Sequence, residues 1–105
     1  MSSGIITGNV ASMGVITTSI NVASVAANTT AEQTFTIPGL RTGDFVEVSK
    51  PSLSAGLGIA NARVSATDTI AISYVNATAS PIDPAAETYL ILWVRPDSTQ
   101  AGAAT

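Results

Sequence analysis

Ser49-Lys50 is the one place in this sequence where a hydroxyl stands next to an amine that could activate it, the arrangement a lysine-assisted nucleophile needs. The two residues close a short run of strand-forming residues, where neighbours point to opposite faces, so an ordinary exposed lysine is the expectation. The chain has no His and no Cys, which removes the commonest general base, the commonest nitrogen ligand and every thiolate site. Seven carboxylates remain, yet Asp44, Asp68, Asp83 and Asp97 stand in turn contexts, where Asp bonds nearby backbone, and no window has the spaced acidic pattern of a calcium loop. Gly56 and Gly58 lack the lysine and helix that would make a phosphate loop of them. Asn28-Thr29-Thr30 and Asn76-Ala77-Thr78 match a glycosylation acceptor pattern and are read as solvated turns. Tyr89 and Trp93 share a parity and could stack on a sugar, or else serve as core or interface aromatics. No catalytic residue, cofactor-binding residue or metal ligand is assigned, and the chain is read as a non-enzyme.

Composition points the same way. Hydrophobic residues make up 46% of the 105 positions but aromatics only 5%, so the core must be built from small aliphatic side chains and is expected to be thin. Thin cores in small domains are often completed by a partner surface, which makes self-association the expectation. A net charge of −3 with only 10% charged residues provides no field for phosphates or anionic lipid, so neither nucleic acid nor a membrane is expected as partner. The amino-terminal residues lack a basic, then unbroken apolar, secretion signal.

The elements that would carry these residues read as strands throughout. Val15 to Val25 is rich in β-branched residues, with Ile16, Ile20 and Val22 on one parity; Gln33 to Ile37 alternates, with Phe35 and Ile37 on one face. Phe45 to Val48 is a short strand stopped before Pro51, and Gly58 to Val64 and Thr69 to Val75 form a hairpin about Ala66-Thr67-Asp68. Gly58 to Val64 offers two faces, Ile59/Asn61/Arg63 and Ala60/Ala62/Val64. Asn76 to Glu87, with Pro81 and Pro84, reads as a long surface connection. Thr88 to Val94 is apolar on both parities, which marks a strand covered on both faces, either deep in a sheet or under a neighbouring subunit. The expected fold is a single all-β domain, an antiparallel β-sandwich or jelly roll over 14–95, with an amino-terminal arm at 1–13 and a tail at 96–105.

Residues 56 to 94 contain Ala62-Arg63-Val64-Ser65-Ala66, Asp68-Thr69, Asn76-Ala77-Thr78, Ile82-Asp83-Pro84-Ala85 and Thr88-Tyr89; upstream, Val25 to Glu32 and Phe35-Thr36-Ile37-Pro38-Gly39 also fit. This series resembles short structural proteins of tailed bacteriophages. The resemblance implies a β-sandwich virion component, a capsid decoration (cement) protein made in the host cytoplasm and bound to the outer capsid surface, with the major capsid protein and copies of itself, as a homotrimer, for partners. The candidate interface residues are Ile5, Ile6 and Val10 in the arm and Tyr89, Ile91 and Trp93 on the last strand. The alternative is a tail or host-surface adhesin, or a carbohydrate-binding module, using Tyr89 and Trp93.

Overall fold

The computed structural model describes residues 10–97. It is all-β, with six strands: β1 (Val10–Ile20), β2 (Thr29–Thr36), β3 (Phe45–Ser49), β4 (Leu57–Ala66), β5 (Thr69–Asn76) and β6 (Glu87–Pro96). They form two antiparallel three-stranded sheets, ordered β1-β6-β3 and β2-β5-β4. Among the described residues no helix is long and apolar enough to cross a membrane.

The pairing follows one rule, that the chain folds back on itself about its middle. Residue 10 faces 96 and 20 faces 87 in β1·β6; Val25 bridges Ile82 in the connections; 29 faces 76 and 36 faces 69 in β2·β5. Beyond that ladder, Ile37 N–H donates to Asp68 O at 2.7 Å and Asp68 N–H to Leu40 O at 2.8 Å. The next rungs would join β3 to β4, but each pairs elsewhere: β3 adds to β6 and β4 to β5. The double strand is thus opened at its closed end, and its two halves lie in different sheets.

One core serves both sheets. Ile20, Val46, Tyr89 and Ile91 from the β1-β6-β3 side meet Ile70, Ile72 and Tyr74 from the other, with Val22, Val25, Ile37 and Leu40 from the connections. Aliphatics dominate, each worth roughly 1.5–3 kcal/mol when fully buried. Two tyrosines supply the bulk that the scarce aromatics otherwise withhold, and their hydroxyls lie 3.0 Å apart inside the core. Burial, then the bond to Tyr89, pushes the Tyr74 phenol well above its usual range.

Several expectations need correction. Val10 to Met13, assigned to the arm, already pair in β1 with Val94 to Pro96, so the ordered sheets reach beyond 14–95 at both ends; residues 1–9, including Ile5 and Ile6, and 98–105 lie outside the described residues. The strand expected to run to Val25 stops at Ile20. On β4 the register shifts between Ile59 and Asn61, so Ile59 packs on the core together with Ala62 and Val64 rather than opposite them; a bulge inserts one residue and resets the parity.

Candidate docking face

Strand β6 is the middle of its sheet, and alternation sends Tyr89, Ile91 and Trp93 inward and Leu90, Leu92 and Val94 outward. The inward set is accommodated by its neighbours. Tyr89 and Ile91 are fully buried, and Trp93 packs on the core against Gly14, where an added Cβ would lie 3.0 Å from the indole Nε1. Beside the indole, the Arg95 guanidinium sits 5.1 Å from the ring centre, close enough for a cation–π contact.

Among the described residues, nothing covers the outward set. Cross-strand partners share a face, which puts Met13, Val94 and Phe45 in one row, Val15, Leu92 and Glu47 in the next, and Thr17, Leu90 and Ser49 in the third. Met13 is 47% exposed, Val15 63%, Phe45 57% and Leu90 48%. With strands about 4.8 Å apart and residues about 3.4 Å along each, the three rows cover on the order of 300 Å². Glu47 is the only charge in these rows. The exposed apolar parity is thus the one opposite to Tyr89, Ile91 and Trp93: these three were expected at an interface, and the core of the same chain takes them. Val10, at the start of β1, is half-buried beside Pro96.

The opposite sheet presents a different outer surface. Thr30, Glu32 and Thr34 of β2 stand there with Ser73 of β5 and with Asn61 and Arg63 of β4. Arg63 binds Glu32 through two hydrogen bonds of 2.9 Å, and this guanidinium holds the Glu32 carboxyl below its usual range.

Two ion pairs fix β3 to β6 at the ends of the β1-β6-β3 sheet. At one end Arg95 donates to both Asp44 oxygens, at 2.9 and 2.8 Å, and to Gly39 O at 2.8 Å. The Asp44 side chain is 2% exposed, and its bond to Arg95 keeps its carboxyl below the ordinary range. At the other end Lys50 Nζ lies 2.8 Å from Glu87 and also donates to Ser52 O and Ser54 Oγ. Ser52 Oγ donates to Glu87 at 2.7 Å, and the Lys50 and Ser52 bonds lower the Glu87 carboxyl. Lys50 is therefore tied on the inner side to Ser54 while Ser49 sits in the outer rows, and no Ser49–Lys50 pair forms.

Asn76 is the polar residue the sequence reading misplaced. Expected as a solvated turn, it is buried, with Nδ2 donating to Val25 O at 3.0 Å and Ser80 O at 2.8 Å. Its Oδ1 accepts from Thr78 N–H at 2.9 Å and Thr78 Oγ1 at 2.7 Å. All its bonding capacity is used: three bonds hold the turn at Thr78 and Ser80 that follows it, and the fourth ties this connection to Val25 in the other. Gly56 completes this corner: at φ 85° it lies so close to Thr78 that any Cβ would strike the threonine methyl. Asp44 behaves as a turn residue, accepting from Arg41 N–H at 3.0 Å; Asp68 takes the turn conformation, at φ 59°, but its carboxylate accepts from Gly39 N–H of a different turn, at 2.8 Å. Among the described residues, no three His, Cys, Asp or Glu side chains converge as a metal site. Comparison with models of known protein families, with curated proteins and with solved structures finds no match.

Proposed function

We propose that this protein is a non-enzymatic structural subunit that attaches to a larger protein assembly through the outer face of the β1-β6-β3 sheet, and that the assembly is the head of a tailed phage, with this chain as a decoration protein on the outer shell. The observation that carries the reading is the uncovered apolar face, whose middle strand already buries its other side in the core. Apolar patches of a few hundred Å² on small proteins are often interaction sites. The phage assignment rests on the likeness of residues 20–94 to short phage structural proteins.

The strand order fits that class of fold. Nested pairing of β1 with β6 and β2 with β5, split between two sheets, is what a long hairpin gives when rolled up, a six-stranded jelly-roll-like sandwich. Size fits as well. A stable interface takes about 800 Å² from each partner, and this face supplies less than half. One such contact holds weakly, whereas copies that touch both a shell and each other gain retention from repetition. That favours a multi-copy coat, for which the major capsid protein and further copies of this chain, as a trimer, are the proposed partners. The adhesin reading loses its motivation, because Tyr89 lies inside the core and no two-aromatic platform faces solvent.

Light scattering on the purified chain, with and without empty phage shells, tests the proposal. An oligomer that loads onto shells at fixed stoichiometry is the expected result; a monomer that ignores them overturns it.

A further inference from the structure

The opened end of the double strand leaves a slot. Strands β3 and β4 are the adjacent edges of the two sheets, and a groove of about 460 Å³ runs between them, lined by Asp44–Val48 on one side and Ile59–Arg63 on the other. Strand edges carry backbone donors and acceptors with no ladder partner, a template for one more strand. The two edges differ as templates. β4 is bulged after Ile59 and again after Val64, which breaks a regular ladder, whereas β3 keeps an unbroken register with β6.

We propose that the slot receives the amino-terminal segment, residues 1–9, of a second copy of this chain as an added strand on β3. Three observations select this occupant. The segment holds Ile5-Ile6-Thr7, three β-branched residues in a row, and no Lys, Arg, Asp or Glu, so it brings no charge into a half-buried groove. Its nine residues reach about 30 Å when extended, more than the five positions of β3 require. It joins β1 at the edge of the sheet opposite β3. A chain continuing straight from Val10 runs off the end of its own sheet, past Pro96, and would have to reverse within nine residues to enter its own slot. A neighbour's slot needs no reversal. Because donor and acceptor are different edges, the contact is heterologous and closes into a ring when the rotation allows. Insertion requires the edges to stand about 9.6 Å apart, twice the strand spacing, and they now approach within 8 Å, so the slot widens by a few ångströms. This contact is made by the backbone edge of β3; it shares Phe45 and Glu47 with the outer docking face but holds or fails without a partner on that face.

The absence of cysteine gives a clean background for the test. Chains carrying Ile5→Cys or Ile6→Cys are each mixed with chains carrying Glu47→Cys and oxidised. Neighbours along a strand face opposite sides, so one arm cysteine should cross-link to Glu47→Cys at least tenfold better than the other, giving a two-chain product. Equal yields, or none, overturn the added strand. A double variant that combines the better-linking arm cysteine with Glu47→Cys should give linked multimers; a closed single chain overturns the second copy as donor. Ile6→Pro, which removes a ladder N–H, should reduce the mass by light scattering to that of the monomer with unchanged thermal unfolding; an unchanged mass overturns the proposal.

Discussion

The two sheets handle polarity in opposite ways. The β2-β5-β4 sheet is conventional: apolar residues face the core, and its one ion pair, Glu32–Arg63, lies in solvent with side chains 35% and 57% exposed. The β1-β6-β3 sheet draws its ion pairs inward to the ends of β3, with Asp44 and Lys50 side chains 2% and 11% exposed, and turns Met13, Val15, Phe45 and Leu90 to the outside. Folding alone gains nothing from that second pattern, since exposed apolar rows could be threonine at no cost to the core. On the proposed reading, one sheet is shaped by folding alone and the other by folding together with a partner surface.

Charging the apolar rows should break the comparison most severely. The double variant Val15→Glu/Leu90→Glu is expected to lose about 100-fold in affinity for its assembly, since each carboxylate would have to be desolvated against a partner. The thermal midpoint should stay within about 2 °C, because both side chains are exposed in the free chain. Thr30→Glu/Thr34→Glu on the other sheet should leave binding and stability unchanged. Sedimentation with shells and calorimetry measure the two effects.

A comparable loss, in stability alone, is expected where the sheets are joined. Asn76→Ala removes four hydrogen bonds and leaves Val25 O only its bond from Ile82 N–H, at a cost of about 3 kcal/mol by urea unfolding. Tyr74→Phe leaves the Tyr89 hydroxyl unpaired in the core and should cost about 1 kcal/mol. Neither should alter binding if the outer face alone is the docking surface.

Most of this architecture was legible in the residues. Alternation at Gln33 to Ile37, the Ala66-Thr67-Asp68 turn and the doubly apolar Thr88 to Val94 located strands β2, β4, β5 and β6 to within a few residues. Apolarity on both parities of β6 predicts cover on both faces, of which the core supplies one and leaves Leu90 48% exposed on the other. It could not show which parity the chain keeps for itself, because that depends on Gly14 making room for Trp93 across the sheet, a pairing of residues 79 positions apart. The bulge at Ala60 was invisible because Ala60, Ala62 and Val64 read as one continuous small apolar parity, with nothing in it to show that Ile59 takes the place of Ala60 on the core side. Asn76 has the same local sequence whether it is solvated or buried, and only the approach of Val25 decides.

Acid provides the finest test of the contrast between the sheets. Asp44 and Glu87 in one sheet, and Glu32 in the other, all have carboxyls held below their ordinary range by cationic hydrogen-bond partners. Below the usual carboxylate range, at about pH 4, the unfolded chain takes up protons first, so this stabilisation is full above that range and fades as pH falls through the lower folded values. Above it, these groups contribute no pH dependence. Solvent screens the Glu32–Arg63 pair, whereas the Asp44 carboxylate is enclosed by Arg95 and the Arg41 N–H. Urea midpoints measured from pH 7 to pH 2 should therefore show wild type and Asp44→Asn converging as pH falls, while Glu32→Gln follows wild type throughout. Parallel curves for wild type and Asp44→Asn would mean that the enclosed pair is worth no more than the solvated one, and the electrostatic half of the contrast would be lost.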